Sequence, residues 1–480
     1  MMERQILVVN AGGAEGIAML KGIRSAGVFC TMTDAERPEI PQEAKGVVLI
    51  GETCGELTEC LKVLLQSGLP LLAFGAPAAQ LCSALGGSVT GHALEKQLKE
   101  VRFANLGVCA GVEGGMRMLD SAEYLSLPQG FRTLSMAEGV ILGFDDGAGK
   151  YMGFQFVPET HDVEASEIIG NFLWQIAGVE PTLNCDAYIE HAVSVIREKV
   201  GEGQALCVLS GGVDSTTAAL LARCAVGDRL HCLVIDTGLS REGEIDAIQQ
   251  ILGEQTGLNI RRINAQGRVM EQLRECVTPK QKRSAVADFI NRRIADEAAR
   301  LGGHAAVVLA TNYAEILQQE QTSGLPGDIP VAAPLEMFFK DEVREIAQRI
   351  GVPEEIVKRP HYPRAGIALR CMGTVDAEKL SVLRAADALL RDTLEEAGQR
   401  NPHMQAFAVL SDLTDAFLAQ EKRFVIVLRI VYVNSERAGV QRLPQDVLER
   451  AAERIMRQVP HVYRVVFDVS PVPPARIEWE

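Results

Sequence analysis

The chain has 480 residues, too many for a single core, so two or three domains are expected. Its composition, 47% hydrophobic and 23% charged, is that of a globular protein, and its formal charge of −15 argues against a general nucleic-acid or anionic-membrane surface. No run of about 18 apolar residues offers a membrane span, and the opening MMERQILVVNAGG carries no secretory signal. The eleven scattered cysteines, without a CxxC pair, fit a reducing cytoplasm better than a disulfide framework.

In chain order, a strand at 6–10, a glycine turn and a helix over 16–26 come first. Apolar runs at 46–50 and 70–74 follow, with helical segments between them, and 139–143 and 151–156 read as added strands. This alternation predicts a parallel sheet covered by helices.

A helix over 186–200 then leads into the stretch around which the chain is organised. An apolar run, 205–209, meets Ser210, Gly211, Gly212, Val213, Asp214 and Ser215, and an Ala/Leu-rich helical segment begins at Thr216. Strand, glycine turn and helix start place free backbone N–H groups around an anion. The glycines permit close backbone approach to phosphate, and Ser210, Ser215 and Thr216 add hydroxyls. Asp214 makes sense inside a phosphate cradle if a magnesium ion bridges the two. Neither GxxxxGK[ST] nor GxGxxG occurs here. The stretch SGGVDS resembles the signature of N-type ATP pyrophosphatases, which split ATP between its α and β phosphates.

The next strand, 230–238, ends in Asp236-Thr-Gly238-Leu-Ser-Arg241, at the carboxyl end where doubly wound sheets bind ligands. Strands at 258–263 and 305–310 continue the series. An amphipathic helix over 284–300 carries Arg292, Arg293 and Arg300, read as a solvated face. Pro334-Leu-Glu-Met-Phe-Phe-Lys340-Asp-Glu-Val-Arg344 has two readings: a phosphate-directed Lys340, or a helix start with Asp341 and Glu342 near its positive end. Beyond it come a helix at 376–396, strands at 407–410 and 424–433, a helix at 444–458 and a strand at 463–469.

Across its whole length the chain resembles the GMP synthases. The likeness rests on Leu69-Pro-Leu-Leu-Ala-Phe-Gly-Ala-Pro-Ala-Ala-Gln80, Gly153-Phe-Gln-Phe-Val-Pro-Glu159, SGGVDS, the Asp236 segment, the Lys340 segment and the ending Pro-Pro-Ala-Arg476-Ile477-Glu478-Trp-Glu480. It implies an α/β protein of three parts. These are a class I glutamine amidotransferase-like domain (1–182), a doubly wound parallel-sheet ATP pyrophosphatase domain (183–355) and an α+β C-terminal domain (356–480) that forms a homodimer and holds the acceptor nucleotide.

Departures from the family pattern concentrate in two places. The amidotransferase elbow Gly-x-Cys-x-Gly reads Ala73-Phe-Gly75-Ala-Pro77, and His-Pro-Glu reads Val157-Pro-Glu159. The glycine-rich oxyanion turn reads Ile50-Gly-Glu-Thr53. Thiolate attack needs a thiol and a base, so Gly75 and Val157 imply a domain that does not hydrolyse glutamine. Cys82, seven residues past the elbow, and His161, just past Glu159, are the candidate substitute pair. In the acceptor region Arg370, Arg429, Ile477 and Glu478 match the family, whereas Val472 and Arg476 replace its lysine and threonine. The loop 360–367 is rewritten, with Arg364 and Arg476 as new cations. The family's Gln-Gly-Thr reads Thr311-Asn312-Tyr313, closer to sulfur-inserting relatives, and the lid over 321–330 lacks lysine and histidine.

The resemblance implies ATP and Mg2+ as cofactors, Asp214 as the metal ligand and, with Lys340, a catalytic group. It implies a nucleotide bound by 210–216, Asp236 and Gly238, and a cytoplasmic, non-membrane enzyme without nucleic acid. The expected reaction is adenylation of a carbonyl oxygen on a purine nucleotide such as xanthosine monophosphate, followed by attack of free ammonia or another small nucleophile. Open alternatives are the same chemistry on another acceptor, with amidation or with sulfur carried by Cys371, a nucleotide-binding regulatory pseudoenzyme, and a glutaminase using Cys82.

Overall fold

A computed structural model of the chain describes all residues except 1–4, 14, 52–54, 95–96, 120–121, 159–161, 303–304, 318–323, 326–327, 360–364, 400, 402, 412–423, 434–437, 473–474 and 480. The chain divides into two compact units, Met1–Tyr188 and Ile189–Glu480.

The first unit contains β1 (Ile6–Asn10), α1 (Glu15–Ser25), β2 (Cys30–Asp34), β3 (Gly46–Gly51), α2 (Thr58–Gln66), β4 (Leu71–Gly75) and α3 (Ala76–Ala84). These are followed by β5 (Ser88–Leu94), β6 (Gln97–Phe103), β7 (Gly115–Leu119), β8 (Ala122–Ser126), β9 (Arg132–Ala137), β10 (Val140–Asp145), β11 (Tyr151–Phe154) and α4 (Val163–Asn171). Nine strands form one sheet in the order β2-β1-β3-β4-β11-β10-β9-β6-β7, and β5 and β8 form a separate ribbon. The half from β2 to β11 is parallel. Its β3 and β4 are buried along their whole length, which is why they read as unbroken apolar runs rather than alternating ones. Leu7, Val47, Leu49, Leu71, Leu81 and Phe144 fill the core under α2 and α3.

The second unit runs on from α5 (Cys185–Val200) with β12 (Ala205–Val208), α6 (Val213–Val226), β13 (Leu230–Asp236), α7 (Glu244–Thr256), β14 (Ile260–Asn264), α8 (Gln266–Leu273) and α9 (Pro279–Arg300). Next come β15 (Ala306–Val308), α10 (Tyr313–Leu317), β16 (Val331–Ala332), α11 (Lys340–Arg349) and α12 (Glu354–Val357). The order β14-β13-β12-β15-β16 is parallel throughout. The chain enters at β12, winds outward through β13 and β14, then returns to β15. Direction therefore reverses between β12 and β15, where ligands lodge beyond the carboxyl ends of the strands.

α9 begins five residues before the expected 284. Thr278 accepts from the Gln281 backbone N–H while Gln281 reaches back to Thr278, a capping box readable as T-x-x-Q. Its arginines do not simply face solvent, because Arg293 and Arg300 both pair with buried Glu297.

The chain ends with α13 (Ala377–Glu396), β17 (Met404–Ser411), β18 (Phe424–Val433), β19 (Ala438–Val440), α14 (Gln445–Gln458) and β20 (Val462–Asp468). β17 runs antiparallel along one side of β18, while β20 runs parallel to its first half and β19 antiparallel to its end. One continuous apolar core joins Leu206 and Leu233 of the parallel sheet to Ile367, Leu383, Ile426 and Ile455 of this last part.

Candidate functional site

The turn between β12 and α6 sits at the β12–β15 switch point. Gly211 has φ +75°, and a Cβ there would fall 2.3 Å from Ile248 Cδ1, so only glycine fits. Ser215 Oγ lies 3.2 Å from Ser210 N and 3.0 Å from Ser210 Oγ, so the two serines tie the turn across its mouth. Thr216 Oγ1 donates to Gly212 O at 2.9 Å, which spends that hydroxyl inside the turn rather than toward a ligand. From the other side Arg359 donates to Gly211 O at 3.0 Å and pairs with Glu244.

Asp214, on the first turn of α6, faces two other elements. Its Oδ2 lies 3.8 Å from Lys340 Nζ, at the start of α11, and 3.5 Å from Asn312 Nδ2, beyond β15. Its Oδ1 is buried without a hydrogen-bond partner. Burial pushes the carboxyl pKa above its ordinary range, and the charges of Lys340 and Arg344 and the Asn312 amide only partly offset this. A buried carboxylate oxygen without a donor is costly unless something cationic meets it. Among the described residues no cluster of three or more His, Cys, Asp or Glu could hold a metal alone. Magnesium, however, takes most of its ligands from phosphate and water and needs one or two carboxylates, and Asp214 Oδ1 suits that role.

Asp236 closes β13 and is fully engaged within the protein. Arg262 donates to its Oδ2 at 2.6 Å and Gln266 at 2.9 Å, and the Gly238 N–H reaches Oδ1 at 3.0 Å. Burial alone would raise its pKa, but these donors and the Arg262 charge hold it below the usual carboxylate range. The carboxylate therefore shapes the 236–241 loop, and Gly238 (φ +71°) turns it. Arg384 of α13 secures the loop from below by donating to Gly238 O and, at 3.1 Å, Ser240 O.

The acceptor-region arginines are internal. Arg370 (1% exposed) makes two parallel bonds to Glu478, 3.0 and 2.7 Å, and lies 3.9 Å from the centre of the Phe407 ring. Arg429, also 1% exposed, pairs with Asp468 at 2.6 Å and donates to Ser470 O and Arg476 O. Arg429 thus ties the final segment, with half-buried Ile477, to β18, and Arg370 ties it to the 366–370 turn. Arg364 lies outside the described residues.

In the first unit Gly75 ends β4 and caps α3 with φ +75° and ψ −145°, the strained strand-to-helix corner on which nucleophiles are displayed. No side chain can stand there: a Cβ would lie 2.1 Å from Gly51 O and 2.8 Å from Val157 Cγ2. Cys82 is fully buried, and burial raises its thiol pKa. Glu52, Thr53, Glu159 and His161 lie outside the described residues.

Two residues of the site, Asn312 and Arg359, were not named as such from the sequence. Asn312 was visible only as a departure from the family's spelling, and Arg359 had no pattern to mark it. A cavity of about 580 Å³ opens at the opposite, amino ends of β12–β14. It is lined by Arg261, Arg300 and Glu297, the two arginines sharing the one carboxylate, and it lies away from the phosphate turn.

Comparison with known proteins gives a consistent picture. The family model described as NAD synthase matches residues 188–412, and that described as GMP synthase C terminal domain matches 392–479. The chain is 34% identical to "GMP synthase [glutamine-hydrolyzing]" of Symbiobacterium thermophilum over 99% of both chains. It is 31% identical to the protein of that name from Acetivibrio thermocellus over 99% of both, and 31% to that from Geobacillus kaustophilus over 100% of both. Among the described residues no helix is long and apolar enough to cross a membrane.

Proposed function

The chain belongs to the GMP synthase family, and on that premise we propose that it is an ATP-dependent ligase that adenylates a carbonyl oxygen of a purine nucleotide resembling xanthosine monophosphate and aminates it with free ammonia. The observation that carries this reading is the meeting of Lys340 with Asp214, whose Oδ1 is buried and unpartnered, at the switch point of a parallel sheet.

The acceptor oxygen attacks the α-phosphorus, the bond from that phosphorus to the bridging oxygen breaks, and pyrophosphate leaves with the electron pair. The 210–216 turn offers its backbone N–H groups to the phosphates. Lys340 places a fixed cation where charge develops on the leaving group. Magnesium held through Asp214 would neutralise phosphate charge. Ammonia then adds to the activated carbon, the carbon–oxygen bond breaks, AMP departs with that oxygen, and one proton from nitrogen passes to solvent.

Free ammonia is favoured over glutamine by the first unit. The corner that would display a thiol is filled by Gly51 O, Val157 stands in place of a base, and Cys82 is a buried thiol with a raised pKa. Sulfur transfer through Cys371 is disfavoured on the same grounds, because that thiol is 1% exposed and burial raises its pKa. Division at 182 and 355, homodimerisation through 356–480 and a cytoplasmic site of action complete the proposal. Arg370 and Arg429 act in it by holding Glu478 and Ile477.

The test is pyrophosphate release and GMP formation from ATP, Mg2+ and xanthosine monophosphate, with ammonium or glutamine as nitrogen source. Product with ammonium and none with glutamine is expected. Product with glutamine would overturn the ammonia reading, and no turnover with either would remove xanthosine monophosphate as acceptor.

A further inference from the structure

We infer that Asn312 is a positioning residue for Asp214: it holds one carboxylate oxygen so that the other is presented to the cation that accompanies ATP. The inference rests on the reading of Asp214 as the magnesium ligand.

Asn312 is 3% exposed and caps the short helix α10. Its Oδ1 accepts from the Glu315 backbone N–H at 3.2 Å, while Glu315 Oε2 accepts from the Asn312 N–H at 3.4 Å. This reciprocal box decides which way the amide faces. With oxygen committed to the helix, the Nδ2 donors point the other way, and Asp214 Oδ2 is 3.5 Å from them. That distance is the outer limit of a hydrogen bond, and such contacts often shorten once substrate is bound. Reversing the amide would set its oxygen against the carboxylate and leave Glu315 N–H without its acceptor.

The two oxygens of Asp214 are therefore not equivalent. Oδ2 is met by Asn312 and faced by Lys340 at 3.8 Å, whereas Oδ1 is buried and unpartnered. A carboxylate free to rotate would present either oxygen, and donors fixed on one side remove that freedom. Such outer contacts commonly set both the orientation and the affinity of a metal ligand. Thr311 and Tyr313 flank Asn312, and the Tyr313 N–H donates to Phe338 O at 2.9 Å. The segment is thus anchored to the stretch that ends at Phe339, the residue before Lys340, so both groups facing Asp214 Oδ2 are carried on one connected support.

The experiment uses Asn312→Ser in the full chain. Serine still caps a helix but is too short to donate to Asp214. Equilibrium ATP binding is measured calorimetrically with Mg2+ and with EDTA, alongside Asp214→Asn. The inference expects ATP affinity in EDTA within about twofold of the parent and the Mg2+-dependent gain reduced about fivefold to tenfold by Asn312→Ser, the net size of one ordinary hydrogen bond. Asp214→Asn removes most of that gain. If Asn312→Ser leaves the Mg2+-dependent gain intact while Asp214→Asn removes it, the positioning role is wrong. If Asp214→Asn leaves it intact, the reading of Asp214 as metal ligand fails instead. Loss of affinity equally with and without Mg2+ would make Asn312 a structural cap only and also overturn the inference.

Discussion

Two glycine corners in this molecule have the same backbone opening and opposite fates. Gly75 ends β4 directly before α3, Gly211 lies in the turn between the end of β12 at Val208 and the start of α6 at Val213, and both have φ +75°. At Gly211 the crowding comes from side chains, Ile248 and Arg359, which brace the turn from behind. Its front is left to Asp214, Lys340 and Asn312. At Gly75 the crowding comes from a backbone carbonyl, Gly51 O, standing where a side chain would emerge, with Val157 beside it. One corner keeps titratable groups around an opening, and the other has closed over its own display position. Strand pairing and core packing do not depend on which groups stand at such a corner, so one backbone design can carry either arrangement.

The comparison breaks most sharply at Lys340. If the Gly211 corner is the working one, Lys340→Ala should lower pyrophosphate release about 10²- to 10³-fold, the usual cost of removing one preorganised charge from a developing anion. Its urea midpoint should stay close to the parent's, because the side chain is about a third exposed. A loss below tenfold would put Lys340 outside the chemistry.

The Gly75 corner is tested by attempted repair. Gly75→Cys with Val157→His restores the residue types of a thiolate pair, but the new Cβ meets Gly51 O. The variant should release no glutamate from glutamine, and its first unit should lose about 2–4 kcal/mol, combining a conformation reserved for glycine with a backbone clash. Glutamine hydrolysis by this variant would mean that the 51–75 contact yields, and that the two corners differ by two side chains alone.

How much of this was readable beforehand follows the range of the interactions. The phosphate turn was legible because its chemistry is local: SGGVDS lies within six consecutive residues, after an apolar run and before a helix. The parallel sheets were legible because β3, β4 and β12 carry continuous apolar runs. The T-x-x-Q box that starts α9 at Pro279 is equally local, but it lies ahead of the apolar periodicity, which begins only near 284. Long-range pairings left no trace. Nothing in the spelling of residues 370 and 429 reveals that Glu478 and Asp468 lie across from them and bind their guanidinium groups within the chain. The same holds for Gly51 O against Gly75, a contact between backbones that no side-chain pattern encodes. Asn312 falls between these cases, since its cap is local but its reach to Asp214 spans 98 positions.

The smallest expected effect separates the Asp214 carboxylate from its neighbour at the same end of the sheet. Asp214 is raised by burial and keeps an oxygen without a partner, whereas Asp236 is lowered and has donors on both oxygens. A carboxyl depressed in the folded state stabilises that state fully above its ordinary value, about 3.9, and loses the contribution as pH falls through the folded value. Asp236→Asn should therefore cost about 1–3 kcal/mol at pH 7, with the deficit shrinking below about pH 4 as the parent's own carboxylate is protonated. Trp479 packs against Phe407, Val409 and Val427 and, in a Trp174→Phe background, reports urea unfolding of the second unit alone. A deficit unchanged between pH 7 and pH 3.5 would mean that the Asp236 donors hold shape rather than charge. The loop at the end of β13 would then owe its position to Arg384 and Gly238.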